Sequence, residues 1–368
     1  MSATGVDADR LVITAWAAVS PYGVGRSAFV EGLREQRPTD TEVRAPQWDV
    51  PDDRACLVPG FDIREMLGKK GTRAMDRGTA LALSAVGALL TELGPDGGVR
   101  GRDDTALVLG TSFGSTQTMM DFTRASLTEE KPFYVDPAMM PYAVMNAAAG
   151  QCAIWYELRG PNTTMAGGRG SALLGLRYAR RLLANGRAAR ALVGATEDYS
   201  RSRSWLWRQA APETPVVLGE GALMMLVEPV GAVGADRRPL AEVLVVESRI
   251  FFDADPRAEL AACILAALKA AGLAAADVDL VALSDAPGPL GGHERQVVAE
   301  TLGDEVTVLP SVSGLLGETA CVSGAFQIGS VLATAHTAGG LGGRVALVTS
   351  VDRDGTVACA LLRLCDAS

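Results

Sequence analysis

The side chains best suited to covalent or metal chemistry in this chain are its cysteines and histidines. The chain has six cysteines and two histidines, and the cysteines form no C-x-x-C pair and have no histidine at metal-ligand spacing. The six are Cys56, Cys152, Cys263, Cys321, Cys359 and Cys365. We therefore expect buried thiols in a reducing cytoplasm, no metal site and no cofactor.

The two histidines lie far from any pattern typical of acid–base catalysis. His336 ends an apolar helical pattern, which predicts a helix-terminal or packed residue, and His293 follows a Gly-Pro loop, which predicts a surface loop. A site that needs two histidines cannot be assembled from these positions.

The elements that could position a site occur twice. Asp76–Gly94 and Arg257–Gly272 both have the Ala/Leu pattern of a helix, and each precedes an apolar strand, Ala106–Gly110 and Leu280–Leu283. Each strand ends in a Gly-containing turn. The order helix, strand, turn therefore predicts a structural repeat.

A second pair of segments extends the repeat. Residues 170–198 and 324–352 each have a helical pattern, a glycine stop at Gly186 or Gly339, and then a buried apolar run. Strands that alternate with helices predict an α/β protein in which helices cover mostly parallel sheets on both faces.

The domain organisation follows from the repeat and from a Gly-, Pro- and Arg-rich stretch at 228–243. We expect a flexible tail over 1–10, one half over 11–232 and a second half over 240–368, which together form one compact unit. The stretch at 228–243 predicts a turn or hairpin between the halves.

Charge and hydropathy exclude several classes of function. The 368 residues contain 34 basic and 43 acidic side chains, a net charge of −9, which argues against nucleic-acid binding. No apolar run has the length of a membrane span, and the first ten residues do not resemble a secretory signal. We expect a cytoplasmic protein with no membrane partner.

Several ordered motifs resemble the β-ketoacyl synthases of the thiolase superfamily. In the first half they are "LVITAWAAVSPYGVGRSAFVEGL" (11–33), "ALVLGTSFGS" (106–115), "PYAVMNAAAGQCAI" (141–154), "LRGPNTTMAGGRGSALLGLRYA" (158–179) and "LGEGALMMLVEP" (218–229). In the second half "SVSGLLGETACVSGAFQIGSVL" (311–332) continues the likeness. The resemblance implies a duplicated, five-layered α-β-α-β-α fold with two mostly parallel sheets.

The resemblance also implies where a condensing enzyme would carry its nucleophilic cysteine. That cysteine sits on a turn at a helix N-terminus, and the matching turn here is "AGGRGSA", which places Arg169 at the cysteine position. A guanidinium stays protonated and cannot accept an acyl group. The counterpart of Cys321 in the family is small and packed, so we expect Cys321 to be structural, as we do Cys152.

The family's other catalytic positions are also replaced. "ALSDAPGPLGG" puts Asp285 where the first histidine lies, and "SGLLGE" puts Ser313 and Glu318 where a lysine and the second histidine lie. The C-terminal glycine-rich loop becomes "SVDRDG" and keeps Gly355. The resemblance therefore implies that the chain has no catalytic residues of its own.

Arg169 raises an electrostatic problem, because a helix N-terminus is a positive field and a buried unpaired charge is costly. We expect an ion cluster in which Arg169 pairs with Glu318, joined by Asp285. The alternative is that Arg169 points toward a partner surface.

A degenerate ketosynthase resembles the chain-length factor of type II polyketide synthases. That resemblance implies a heterodimer with an active ketosynthase, to which an acyl carrier protein delivers acyl chains, and a tunnel whose length sets the product. Arg169 departs from the glutamine common at the cysteine position in chain-length factors. The implied tunnel and dimer-interface residues lie in 116–127 and 136–146 and are Met119, Met120, Phe122, Met139, Met140 and Tyr142.

Two other functions stay open on sequence alone. One is a homodimeric acyl-binding or scaffold protein without a ketosynthase partner. The other is an unusual acyltransferase or decarboxylase in which Arg169 binds a carboxylate. The arginines between Arg177 and Arg190 are interpreted as a solvated helix face rather than a carrier-protein dock.

Overall fold

A computed structural model describes residues 10–43, 49–94, 99–303 and 305–366. The expected tail over 1–10 therefore lies outside the described residues except for Arg10. Arg10 is held in place by its guanidinium, which donates from Nε and Nη2 to the Glu242 carboxylate at 2.8 and 3.0 Å. In the described part of the chain, no helix is both long enough and apolar enough to cross a bilayer.

The regular elements follow the helix and strand alternation expected from the sequence. The helices are α1 Arg26–Glu35, α2 Ile63–Leu67, α3 Arg77–Leu93, α4 Thr116–Thr128, α5 Ala147–Tyr156, α6 Ser171–Ala184, α7 Arg201–Ala210, α8 Arg257–Ala271, α9 Pro289–Leu302, α10 Val312–Leu316 and α11 Ser323–Ala338. The strands are β1 Leu11–Ser20, β2 Gly23–Val24, β3 Asp40–Glu42, β4 Arg54–Cys56, β5 Thr105–Gly110, β6 Asn162–Met165, β7 Arg190–Glu197, β8 Leu218–Gly219, β9 Gly221–Pro229, β10 Ala241–Ile250, β11 Val278–Ala282, β12 Thr307–Val308, β13 Val345–Val351 and β14 Thr356–Leu364.

The predicted repeat is visible in the strand order. The first half runs β6-β5-β7-β9-β1, and the second half runs β12-β11-β13-β14-β10, which is the same order with the corresponding strands. β1 also pairs with β10 over Leu11–Ile13, so the two half-sheets are continuous at that point. A small separate sheet contains β3, β4 and β8.

Mostly parallel sheets were expected, whereas each half of the observed sheet contains both parallel and antiparallel strand pairs. β5 is parallel to β6 and β7, and β11 is parallel to β12 and β13. The remaining pairs of each half, such as β7 with β9 and β13 with β14, are antiparallel. A short connection permits only an antiparallel partner, and only the residues from 352 to 355 join β13 to β14.

The five expected layers are present. α6 and α11 lie between the two half-sheets, where Leu176 and Phe326 share one apolar core with strands of both halves. α3 and α5 cover the outer face of the first half-sheet, and α8 and α9 cover that of the second. The α/β, thiolase-like class is therefore confirmed.

Local signals explain where the repeated helices begin and end. The Asp76 carboxylate accepts a hydrogen bond from the Thr79 backbone at 2.9 Å and caps α3, which ends before Gly94. α11 ends at Gly339, whose φ of +63° is favourable only for glycine. α6 ends at Ala184, and its C-cap is Asn185, one residue before the predicted glycine stop.

The junction at 228–243 contains the expected turn, in which the Arg237 N–H donates to the Gly234 carbonyl oxygen at 3.0 Å, but it is not a hairpin. β9 and β10 do not pair with each other, because β1 lies between them and pairs with both. The connecting residues therefore cross the end of β1. The proposed boundaries of 11–232 and 240–368 remain a prediction about domains.

Candidate functional site

Arg169 lies in a single 3-10 turn, Gly168–Gly170, that leads into α6. Its backbone N–H donates to Asp352 Oδ2 at 2.7 Å, so the loop after β13 anchors the start of this helix. Gly168 has a φ of +55°, and a Cβ there would lie 2.2 Å from the Asp352 carboxylate. The turn therefore requires glycine before Arg169.

The Arg169 side chain is 95% buried and points into the second half of the chain. Nη1 donates to Glu318 Oε2, and Nη2 donates to the Ser284 carbonyl oxygen. Nη2 also lies 3.2 Å from Ser313 Oγ and 3.1 Å from Ser323 Oγ. The guanidinium is therefore held by the turn that follows β11 and by residues of α10 and α11. It does not point toward a solvent-facing surface.

Glu318 completes the predicted ion pair and is itself fixed. Its Oε1 accepts from the Ala320 N–H at 2.8 Å, and its backbone N–H donates to the Val217 carbonyl at 2.8 Å. Its carbonyl oxygen accepts from Arg203 Nη2 at 2.7 Å. Two buried charges in contact, each with further hydrogen bonds, are the form in which a buried ion pair is tolerated.

Asp285 does not join this pair, which corrects the expected three-residue cluster. The Asp285 carboxylate accepts from Arg295 on α9, at the protein surface. Its backbone has a φ of +47°, and this turn directs the side chain toward α9 instead of toward α6.

Glu294 is a buried acid close to the Arg169 cluster, and sequence reasoning missed it. It is fully buried on α9, where its carboxylate accepts from the Ser284 N–H at 2.9 Å, Ser284 Oγ at 2.9 Å, the Asp285 N–H at 2.9 Å and Thr349 Oγ1 at 2.6 Å. Burial raises the pKa of Glu294, and these hydrogen bonds oppose the shift. The signal was an acid on the face of α9 that otherwise buries Gly291, Val297 and Val298.

A surface pocket of about 520 Å³ leads to this cluster. Its walls include Val217, Asp285, Arg295 and Ser313, and Glu318 also lines it. Arg169 lies behind Glu318, so the pocket ends at the ion pair.

Five of the six cysteines are buried, and Cys365 is half-buried. Burial and the nearby Glu197 raise the pKa of Cys321 well above its usual value, and burial raises that of Cys152 to about 12, so neither thiol ionises readily. His336 lies exposed in the last turn of α11. His293 lies in the first turns of α9, and not in a loop as expected, 3.9 Å from Asp255. No three His, Cys, Asp or Glu side chains in the described ranges are arranged to hold a metal ion.

The predicted tunnel residues lie on α4 and on a 3-10 helix, Pro137–Tyr142, that packs against it. Met119, Met120 and Met140 are exposed, Phe122 and Met139 are half-buried, and Tyr142 is buried. In the described part of the chain, the hydrogen bonds and the ion pair of the Arg169 guanidinium are made with other residues. Whether they line a tunnel stays a prediction.

The same region carries an unusually large set of exposed apolar side chains, which we call the α4–α5 face. Its members are 39–79% exposed and are Phe113, Met119, Met120, Leu127, Phe133, Tyr134, Met140, Val144, Met145 and Ile154. The neighbouring strand β6 pairs with β5 on one side only among the described residues. Exposed apolar area beside an open strand edge is typical of a protein interface.

Comparison with a family of known proteins gives a match over more than half of the chain. Residues 8–214 match the family described as "Beta-ketoacyl synthase, N-terminal domain". The 3-oxoacyl-[acyl-carrier-protein] synthase 2 of Coxiella burnetii is 26% identical over 361 residues, which cover 88% of this chain and 85% of the synthase. Alignments with other synthases of the same name cover between 35% and 79% of the relative.

Solved structures give a similar result. A structure titled "The ishigamide ketosynthase/chain length factor" is 45% identical, with a TM-score of 0.91, and the alignment covers 97% of this chain and 99% of that one. A type II PKS acyl-carrier protein in complex with its ketosynthase has a TM-score of 0.81 at 15% identity, covering 96% of this chain and 99% of that one, which is a likeness of fold alone.

Proposed function

The chain belongs to the β-ketoacyl synthase family, and from that membership we propose that it is a chain-length factor. In this role it is a non-catalytic subunit that pairs with an active ketosynthase and shapes the tunnel in which the acyl chain grows. The 45% identity to a protein titled "ketosynthase/chain length factor" supports this subfamily over a free-standing condensing enzyme.

The observation that carries the proposal is the state of Arg169. The resemblance puts this residue at the position of the nucleophilic cysteine, and here a permanently protonated guanidinium is bonded to Glu318 and two serines. A guanidinium without a free lone pair cannot form a thioester or any other acyl adduct under these conditions.

The second and third catalytic positions support the same interpretation. Glu318 is committed to Arg169, and Asp285 is committed to Arg295. Both residues are acids where the family uses imidazoles that hold a developing enolate oxygen, and a carboxylate would repel that oxygen. His293 and His336 lie on α9 and at the far end of α11 and do not replace them.

The α4–α5 face supports a heterodimer. Obligate interfaces are apolar and large, and a monomer with so many exposed methionine and aromatic side chains would be prone to self-association. Met119, Met120 and Phe122 on α4, with Met139, Met140 and Tyr142, would then form the tunnel wall at this interface. Methionine suits such a wall because it adapts to a flexible chain.

The experiment that tests the proposal is acylation of the purified complex. We expect intact-mass analysis, after incubation with acyl-loaded carrier protein, to find the acyl adduct on the partner ketosynthase and none on this chain. A defined acylated side chain on this polypeptide alone would contradict the proposal and favour an acyltransferase. The matched control is the partner with its nucleophilic cysteine changed to alanine, which should show no adduct on either subunit.

The oligomeric state gives the second measurement. Co-expression with the Cys-His-His ketosynthase of the same biosynthetic cluster, followed by size-exclusion chromatography, should give a 1:1 heterodimer. A stable homodimer that ignores the ketosynthase would instead favour a scaffold protein. The cytoplasmic location of the complex stays a prediction.

A further inference from the structure

Asp198 is a buried carboxylate without a hydrogen-bond donor. It directly follows β7, and its side chain is 97% buried. No donor among the described residues reaches its carboxylate oxygens, although its backbone carbonyl accepts from Arg203 Nη1 at 2.8 Å. An acid in this state is satisfied by a proton, by a water molecule in an adjoining cavity or by a cation.

The carboxylates of the neighbouring acids Asp76 and Glu197 accept hydrogen bonds, unlike that of Asp198. Asp76 accepts from the Thr79 N–H at 2.9 Å and from Thr79 Oγ1 at 2.6 Å. Glu197 accepts from Ser112 Oγ and, at 3.1 Å, from the Cys321 thiol.

The local cations are already used. Arg77 donates to both oxygens of Glu220, at 2.7 and 2.6 Å. Arg203 gives its Nη donors to carbonyl oxygens, and its Nε lies 3.7 Å from Glu197. The Arg203 guanidinium is therefore shared by three acids, Asp76, Glu197 and Asp198. This region of the protein has an excess of negative charge.

Asp198 lines a cavity of about 10 Å³ that also borders Asp76, Thr111, Ser115 and Ala147. This is the space of one water molecule or one ammonium group. Gly114, which lines the cavity, packs against the backbone of Met145, since a Cβ at Gly114 would lie 2.7 Å from Met145 Cα; the cavity therefore adjoins the α4–α5 face, of which Met145 is a member.

We propose that this cavity receives a lysine ammonium of the partner ketosynthase, which forms an ion pair with Asp198; the inference rests on the heterodimer proposed above. A lysine presents a compact charge with three donors on a four-carbon stem, which can cross an apolar rim. The planar guanidinium of arginine is too large for the cavity. A metal ion fits less well, because no three acid, thiol or imidazole side chains in the described ranges are arranged to hold one.

The titration of Asp198 gives the proposal a pH signature. Burial, with the charges of Glu197 and Asp76, raises its pKa from 3.8 to about 7, and Arg203 opposes the shift while Glu220 adds to it. Binding a cation requires the ionised form, so complex formation should release a proton and strengthen as the pH rises through 7. The partner's lysine stays protonated throughout this range.

The test is the dissociation constant of the ketosynthase complex between pH 6 and pH 8. For the wild-type chain we expect an affinity about tenfold higher at pH 8 than at pH 6, because a group with a pKa near 7 is roughly one-tenth ionised at pH 6. Asp198→Asn should bind at least about tenfold more weakly than wild type at pH 8 and show no such pH dependence. Asp236→Asn, at an acid that is 62% exposed, is the matched control and should follow the wild type.

The outcomes separate this inference from the proposed function. If wild type and Asp198→Asn bind the ketosynthase equally at pH 8, this inference is wrong and the heterodimer stands. If no complex forms at any pH, the heterodimer and the inference both fail. A free cation is tested by melting the isolated chain at pH 8 in potassium, sodium or choline chloride. A rise in melting temperature with potassium or sodium, absent in Asp198→Asn, would assign the cavity to a solvent ion and overturn the partner lysine.

Discussion

Arg169 and Asp198 are both buried charges in the first half of the chain, yet their surroundings differ. Arg169 has a carboxylate, a carbonyl and two hydroxyls around its guanidinium, all from the second half of the same chain. Asp198 has three acids near it, Glu197, Asp76 and Glu220, and one guanidinium, that of Arg203, which donates to backbone carbonyl oxygens. The charge of Arg169 is neutralised within the chain, whereas the acids around Asp198 outnumber the guanidinium that they share. We infer that the first is a structural cluster and that the second is a place where another molecule can bind.

The largest expected effect is at the closed cluster. Glu318→Ala leaves Arg169 buried and uncompensated, and we expect a loss of about 3–5 kcal/mol in the free energy of unfolding, measured by urea denaturation. Glu300→Ala on the exposed side of α9 is the control and should cost less than about 0.5 kcal/mol. Arg169→Met combined with Glu318→Leu should recover most of the loss, because neither charge then remains buried.

A loss below about 1 kcal/mol for Glu318→Ala would break the comparison, since it would mean that Arg169 finds another counterion or reaches water.

The second prediction is a gain in the free energy of unfolding instead of a loss. Asp198→Asn should stabilise the isolated chain at pH 8 by up to about 4 kcal/mol, because the folded state raises the pKa of this acid from 3.8 to about 7. A raised pKa gives stability that is complete below pH 4 and is lost as the pH rises through 7. The difference between wild type and variant in urea denaturation should therefore fall as the pH is lowered from 8 to 5. Equal stability at both pH values would show that Asp198 has a donor in solution.

The third prediction concerns Glu294, whose carboxylate holds the turn that contains Ser284. Glu294→Gln replaces one acceptor oxygen with a donor amide, which cannot accept from Ser284 or Asp285, and we expect a cost of about 1–3 kcal/mol. The Ser284 carbonyl also accepts from Arg169, so a double-mutant cycle with Glu318→Ala should show non-additivity. Strictly additive losses would mean that the two parts of the site are independent.

The last prediction concerns the length of the acyl product and involves the smallest change in free energy. Shortening a side chain on the proposed tunnel wall, as in Phe122→Ala or Met120→Ala, should lengthen the acyl product of the complex. Arg124→Ala is the matched control, because Arg124 lies on the same helix, is 53% exposed and is not a member of the α4–α5 face. Product analysis by mass spectrometry that finds no change in either variant would remove α4 from the tunnel wall.

Much of the fold could be predicted from the sequence, because local residue patterns indicate the repeated helices and strands. The apolar periodicity and the terminal glycines of 76–94 and 324–352 predict α3 and α11 almost to the residue. Strand direction could not be predicted, because the strands with which β9 and β14 pair depend on how the connecting segments run in the folded structure. Of the turn or hairpin expected at 228–243, the turn is present and the hairpin is not, because β1, from a distant part of the chain, lies between β9 and β10.

The candidate site was partly predictable. The pairing of Arg169 with Glu318 follows from a cation and an acid placed at facing positions by the family resemblance. Asp285 was misplaced because its positive φ, which turns the side chain toward Arg295, leaves no signal in the residue type. Glu294 could have been found, since an acid at a buried helical position requires partners. Asp198 gave no signal, because its neighbours come from four separate elements.

The pairing of β1 with β10 has a consequence for biosynthesis. Leu11 and Val243 are neighbours in the sheet although more than two hundred residues separate them along the chain. A nascent chain leaving the ribosome therefore exposes the apolar edge of its first strand until most of the polypeptide has been made. We expect the growing chain to depend on chaperones during this interval, and a truncation before residue 240 to accumulate in inclusion bodies.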